Sequence, residues 1–433
     1  MMRSIQNSAD CIKSELDLFY VPPTNTSIES GSWGEYYPIA NIDNGPIEFV
    51  VPGSESEYIH LNKTSLYLKI GFYKIDNDKL VSVVESDVFS PICNFGSTVF
   101  SQVDVALNNT SFETSNSTYA YKAYLTDLLN YGEDAKNSFL QSSLFYKDDG
   151  NKFDSMDTSN NGFVNRKKCV TDSKGKLELL SKIHCDIFNS DRYLLNNIQI
   201  NIKLIRNRDS FCLIQKSDTN IFTKIEKAVL IVRKCKISQA ILLAHSMALE
   251  KSTAKYPIKR VVVKTFTIPN SLSSELIPNL SIGALPTRLV LGLVESESFN
   301  GTSEKNPFNF KHFDLNKISL TIDSKEVPYN QALKFDFENK EYIRGYFSLF
   351  EGIDRPVLTT GNNISREDYS GGYALYAYDL SPDLCSGDHF NLLKTGNLVL
   401  ELTFSKSLTK PVTAVVYMEY DNLVEINKNR QLF

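Results

Sequence analysis

LLNNIQINIKLI, residues 194–205, and LLKTGNLVLELTF, residues 392–404, are the two stretches whose reading decides the fold. In the first, Ile198, Ile200, Ile202 and Leu204 alternate with Gln199, Asn201 and Lys203. In the second, Leu398, Leu400, Leu402 and Phe404 alternate with Val399, Glu401 and Thr403. Side chains in a strand point to opposite faces in turn, so a period of two marks a strand with one buried face. A Leu-Leu pair opens each stretch, and the pairs lie 198 residues apart, the size of one large β-domain.

Outward from either stretch the same elements come in the same order. In the first half, Leu66, Leu68, Ile70 and Phe72 alternate with polar or small residues. Val103, Val105 and Leu107 follow and end in an Asn108-Asn109 turn. A helical stretch from Tyr121 to Asn130 puts Tyr121, Tyr124, Leu125 and Leu128 on one face, and Gly132 marks its end or the exit loop. After residues 194–205 a last strand covers about Ile225 to Ile237. The second half gives Leu289, Leu291 and Leu293 in alternation, then Ile318, Leu320 and Ile322 with a turn at Asp323-Ser324-Lys325. A helix over Tyr342–Phe350, followed by Gly352, and a last strand over Val412–Tyr420 complete it. The helical segments YKAYLTDLLNYG (Tyr121–Gly132) and YIRGYFSLFEG (Tyr342–Gly352) read as relatives. Two copies of one strand-rich plan are a specific signal.

The predicted fold class is therefore all-β, two jelly-roll β-sandwich domains in tandem with short helices in the connections. The expected boundaries are an N-terminal arm over 1–29, a first jelly roll over 30–237, a bridging helix and linker over 238–257, a second jelly roll over 258–426 and a tail over 427–433. The bridge, Ser238–Lys251, is the strongest helix signal, with Ser238 as its N-cap and Ala240, Leu243, Ala244 and Met247 on one face. A structured bridge predicts that the halves are held together, since a flexible joint would be rich in Gly and Ser. The composition agrees. The 433 residues exceed the roughly 250–300 at which one core stops growing. The chain carries 26 Phe and 22 Tyr, which suit pleated, half-buried surfaces.

A net charge of −5 argues against wholesale or sequence-specific nucleic-acid binding, which draws on basic surfaces. Met1–Asp10 lacks the apolar run of a signal peptide, and no stretch reaches the roughly 18–20 apolar residues of a membrane span. The eight Asn-x-Ser/Thr triplets, at Asn25, Asn62, Asn108, Asn109, Asn116, Asn279, Asn300 and Asn363, are on this reading chance products of composition. Cys11, Cys93, Cys169, Cys185, Cys212, Cys235 and Cys385 are scattered and never in CxxC spacing, which predicts buried free thiols.

Candidate chemistry is sparse. No phosphate loop, GxGxxG or G-x-S-x-G elbow occurs. His60, His184, His245, His312 and His389 are far apart; His184-Cys185 alone has metal-type proximity and reads as an ordinary strand or strand-edge pair. His245 is expected to be hydrogen-bonded and partly buried on the bridging helix. Asp148, Asp149, Gly150, Asp154 and Asp157 miss calcium-loop spacing, so residues 148–161 are expected to form a solvent-exposed loop. Arg166-Lys167-Lys168 and Arg206-Asn207-Arg208 read as solvated turns. No catalytic, cofactor-binding or metal residue is assigned.

The chain resembles the double jelly-roll major capsid proteins of Polinton/Maverick elements and adintoviruses, within the adenovirus–bacteriophage capsid lineage. The resemblance runs from SELDLFYVPPTNTSIESG (Ser14–Gly31) through FSQVDVALNN (Phe100–Asn109) and AHSMALEKSTAKYPIKRVVVKTFTIP (Ala244–Pro269). It continues through FNGTSEKNPFNFKHFDLN (Phe299–Asn316), NISREDY (Asn363–Tyr369), GGYALYAYDLSPDL (Gly371–Leu384) and YMEYDNLVEI (Tyr417–Ile426). It implies a non-enzymatic shell protein that forms homotrimeric, pseudo-hexagonal, hexon-like capsomers in an icosahedral virion. It also implies single jelly-roll penton and minor capsid partners, synthesis in the host cytoplasm and a gene that an integrated element can carry. Two other classes compete: an enzyme on a paired jelly-roll scaffold, such as a glycan-processing amidase or copper monooxygenase, and a carbohydrate-binding protein. Copper would demand clustered His or Met, and a glycan binder exposed Trp beyond the single Trp33.

Overall fold

The computed structural model describes residues 11–42, 45–76, 78–114, 116–353, 361–384 and 389–433. Sixteen strands carry the architecture, eight in each half. The first eight are β1 (Ile28–Tyr36), β2 (Ile47–Val51), β3 (Glu57–Asp76), β4 (Phe100–Leu107), β5 (Thr110–Thr114), β6 (Lys176–Lys182), β7 (Ile200–Arg206) and β8 (Phe222–Ile237). The second eight are β9 (Ala254–Ile268), β10 (Ser274–Ala284), β11 (Arg288–Glu295), β12 (Leu315–Ile322), β13 (Lys325–Glu326), β14 (Leu375–Asp379), β15 (Thr395–Phe404) and β16 (Val412–Ile426). Four helices matter below: α1 (Tyr119–Asn130), α2 (Asn161–Asp172), α3 (Gln239–Leu249) and α4 (Ile343–Glu351).

The pairing repeats. One sheet of the first half runs β1-β8-β3-β6 and the other β2-β7-β4-β5. The second half runs β9-β16-β11-β14 and β10-β15-β12-β13, the same order with every number raised by eight. Each half is thus a jelly roll whose two antiparallel sheets are built on these four strands each, with one short strand added to a sheet in each half (Lys79–Ser82 on β3, Leu333–Lys334 on β12), and the chain is a double jelly roll. The sequence pairing of Val103–Leu107 with Ile318–Ile322 becomes β4 and β12, which occupy equivalent places. Both strands end in two-residue hairpins whose central residues are left-handed: Asn108 and Asn109 at φ 46° and 67°, Asp323 and Ser324 at φ 48° and 69°. Two positive φ values match the twist of the flanking strands, and short polar side chains bear them at low cost.

Alternation in the sequence becomes burial where one face meets the partner sheet. Ile200, Ile202 and Leu204 on β7 are buried, as are Leu398, Leu400, Leu402 and Phe404 on β15. Each such side chain contributes roughly 1.5–3 kcal/mol by leaving water. The expected alternation fails at β11, where Leu289, Leu291 and Leu293 are buried but so are Val290 and Val294. That sheet is covered on its outer side as well. Helix α4 lies on β14, with the Ala377 N–H donating to Ser348 Oγ at 3.2 Å. Helix α1 of the first half reaches β16, where Thr126 Oγ1 and Tyr417 Oη are 3.3 Å apart. Gly352 ends α4 with helical φ rather than a left-handed cap. Its role is close approach: a Cβ there would stand 2.7 Å from the Ala377 carbonyl carbon. Gly132 does not end α1, which stops at Asn130; it opens the short helix Glu133–Lys136.

The bridge is helical, as expected, and its small apolar face looks outward. Ser238 holds the N-cap position without a side-chain cap bond. Ala240, Leu243, Ala244 and Met247 do share a face, and that face is exposed; Ile241, Leu242 and Leu249 pack inward instead. Periodicity identifies a face but not what the face meets.

Candidate functional site

Residues 148–161, expected to be a solvated loop, instead form the polar centre of the joint between the halves. Asp148 is buried, and its Oδ1 accepts from Arg166 Nη2 at 2.7 Å and Asn160 Nδ2 at 2.9 Å. Its Oδ2 accepts from Asn306 Nδ2 of the second half at 3.0 Å, and its backbone carbonyl from the Tyr373 hydroxyl at 2.6 Å. Asp154 extends the clamp, accepting from the Asn306 N–H at 2.8 Å and Asn309 Nδ2 at 3.0 Å. Only Asn151, residues 157–159 and Asn161 of the segment are exposed.

Arg166 is likewise not in a solvated turn. It lies on α2 with no exposed surface and also donates to the carbonyls of Pro91 (2.7 Å) and Tyr146 (2.5 Å). Burial works against its charge, but Asp148 outweighs burial and holds its pKa above the ordinary arginine range. The available signal was spacing: Phe163, Arg166 and Val170 fall on one helical face, and all three are buried. Arg206 is also tied down, its Nη2 donating to Asp209 at 2.6 Å, whereas Arg208 is exposed.

An aromatic layer surrounds this centre. Tyr124 of α1 stacks on Phe308 with centroids 4.0 Å apart and planes 3° apart. Tyr121 stacks on Phe299 at 5.3 Å and donates to the Pro307 carbonyl at 3.0 Å. Both tyrosines belong to the first half and their ring partners to the second.

A second polar cluster ties α1 to β9. Lys122 is buried and paired with both Glu113 and Asp186, the latter at 2.6 Å. Asp186 also accepts from the Val261 N–H of β9 at 2.9 Å. Burial pushes the Asp186 carboxyl up to about 6, with Lys122 opposing and Glu113 adding. Glu113 and Asp186 together outweigh the burial of Lys122 and hold its ammonium above the usual lysine range. The cluster opens on a cleft of about 770 Å³ between the halves. Two further ion pairs lie on its wall, Arg288 with Glu419 at 3.1 Å and Lys259 with Asp421 at 2.5 Å.

The remaining candidates are dispersed. His184 lies just beyond β6, its Nε2 3.1 Å from Asp127, and burial drives the Cys185 thiol well above its usual range. His245 Nδ1 is 2.9 Å from the Tyr58 hydroxyl, as expected of a bonded histidine, but the residue is exposed rather than partly buried. Among the described residues no three His, Cys, Asp or Glu side chains converge as metal ligands. Cys93, Cys185, Cys212 and Cys235 are buried, Cys169 is half-buried and Cys11 is exposed, contrary to the uniform expectation. Cys385 lies outside the described residues. Trp33 is exposed, with the Arg233 guanidinium 5.4 Å from its ring centroid. No helix among the described residues is long and apolar enough to cross a membrane.

No protein-family model matches the chain. An uncharacterized protein of Caenorhabditis elegans is 27% identical over 435 residues, spanning 94% of this chain and 97% of its own. Solved structures are similar over nearly the whole length. A chain of the Sputnik virophage aligns with a TM-score of 0.67 at 11% identity, covering 99% of this chain and 92% of its own. The mavirus major capsid protein gives 0.56 at 11% identity, covering 100% and 95%. The Faustovirus major capsid protein gives 0.55 at 8% identity, covering 97% and 93%. At such identities the likeness is one of fold, and the shared fold is the double jelly roll.

Proposed function

We propose that this chain is a viral major capsid protein whose working unit is a homotrimer, a pseudo-hexagonal capsomer that tiles an icosahedral shell. The observation that carries the reading is a fold shared with two viral major capsid proteins over at least 97% of this chain, both sandwiches included. Three copies of two like sandwiches make six similar units about an axis, and cyclic closure stops growth at three chains. The buried charges support a structural role over a catalytic one. Arg166, Asp148, Lys122 and Asp186 are bonded to each other and to backbone, where they fasten the two sandwiches together.

The division expected from the sequence is kept as part of this proposal: an arm over 1–29, sandwiches over 30–237 and 258–426 joined by 238–257, and a tail over 427–433. The kinship with Polinton/Maverick and adintovirus capsid proteins rests on the sequence blocks quoted above. A relative in Caenorhabditis elegans fits a gene carried by an integrated element. Penton and minor capsid proteins as partners, a place in the virion shell and synthesis in the host cytoplasm belong to the same reading.

Light scattering on the purified full chain tests the working unit. Three copies of a 48.9 kDa chain give about 147 kDa. A single species at the monomer mass at micromolar concentration would overturn the trimer, because an obligate interface above roughly 2,000 Å² does not dissociate there.

A further inference from the structure

Residues 11–26 are all exposed, and within them Ile12, Leu16, Leu18, Phe19, Tyr20 and Val21 are 64–95% exposed. Six large apolar side chains in ten residues touch none of the chain's own core. Soluble surfaces rarely present such a concentration without a partner. Where this arm enters β1, its root residues Ser27 and Ile28 form part of the wall of a groove of about 610 Å³. The other walls are mostly apolar, including Tyr58, Ile241 and Leu249. This falls within the roughly 300–1,000 Å³ of sites that engulf a ligand.

We propose that Leu18–Val21 of one copy's arm dock in this groove of a second copy. The inference rests on the self-assembly reading above. Charge favours the match: the arm carries Glu15 and Asp17 just before its apolar run, whereas the groove wall carries Arg192 and Lys255 and no carboxylate. Chain geometry favours a neighbour over the arm's own groove. Pro22-Pro23 stiffens the chain between the apolar run and the root, and fixed φ opposes the tight reversal a return would need. The nine residue-to-residue steps from Leu18 to Ser27 span about 30 Å when extended, enough to cross to an adjacent subunit.

The test uses full-length chains with Cys11→Ser, which removes the exposed thiol among the described residues, and with Cys385→Ser. One chain carries Phe19→Cys, and a second, differently tagged chain carries Ala248→Cys, at the groove wall. The two are co-expressed and treated with a short bis-maleimide; the same pair without the introduced cysteines is the control. A covalent heterodimer is expected. Reversing the groove charges (Arg192→Glu with Lys255→Glu) should reduce its yield at least fivefold. Reversing the arm as well (Glu15→Lys with Asp17→Lys) should restore it. A trimer by light scattering that yields no heterodimer overturns the arm contact and leaves the capsid reading standing. A monomer overturns both.

Discussion

Replacing Asp148 with alanine removes the counter-charge of an arginine that has no exposed surface. Arg166 keeps the Pro91 and Tyr146 carbonyls but loses the carboxylate at 2.7 Å, and Asn160 and Asn306 each lose an acceptor. Breaking a buried pair from one side typically costs about 3–5 kcal/mol, because the remaining charge stays desolvated without compensation. Asn160 Nδ2 keeps the Lys152 carbonyl at 2.9 Å, so the two weakened donors add roughly 1 kcal/mol between them, and not additively. We therefore expect Asp148→Ala to cost about 4 kcal/mol, a large fraction of the roughly 5–15 kcal/mol typical of a folded domain. Arg166→Met should cost a similar amount, since it strands the carboxylate. The double variant should cost well under the sum, with a coupling of at least about 2 kcal/mol. Urea unfolding followed by circular dichroism, across all four members of the cycle, provides the measurement. A loss below about 1 kcal/mol for Asp148→Ala, or additivity within about 0.5 kcal/mol, would refute the claim that this pair fastens the joint.

Phe308→Ala should cost about 3–5 kcal/mol, read from the same unfolding curves, because it removes the ring stacked on Tyr124 between the halves. Gly352→Ala should cost about 1–3 kcal/mol, since the new Cβ meets the Ala377 backbone at 2.7 Å. Glu295 is held down at about 2: burial opposes its charge, but hydrogen bonds from Lys305 and Lys311 prevail. Its contribution is therefore present above the ordinary value of 4.5 and lost as pH falls towards 2, so Glu295→Gln should destabilise at pH 7 by up to about 3 kcal/mol and very little at pH 2. Asp186 has the opposite sign. With its carboxyl raised from 3.8 to about 6, the folded state binds the extra proton, and stability falls as pH rises through that window. Asp186→Asn should flatten this fall in a pH series of thermal midpoints.

Strand order was legible because it depends on local, repeated physics. A sheet with one buried face writes its period of two directly into β4, β7, β12 and β15, and the hairpins at Asn108-Asn109 and Asp323-Ser324 carry residues that accept positive φ. The joint was not legible for an equally physical reason. Asp148 binds residues 12, 18 and 158 positions away, so its neighbourhood in sequence, polar and rich in Asp and Ser, is that of a solvated loop. Arg166 left a trace in its helical spacing with Phe163 and Val170. Nothing local marked the contact of Asp186 with Val261, 75 residues on. Helix α3 shows the third limit: its apolar face was correctly drawn, but only tertiary packing decides that Leu243 and Met247 look outward.

Cryo-electron microscopy of the purified full-length protein tests the shell-building role most directly. Three-fold particles with a six-sided outline are expected, each lobe a jelly roll, with lateral association into facets as concentration rises. A field of isolated two-lobed monomers, with no three-fold particle at micromolar concentration, would contradict it.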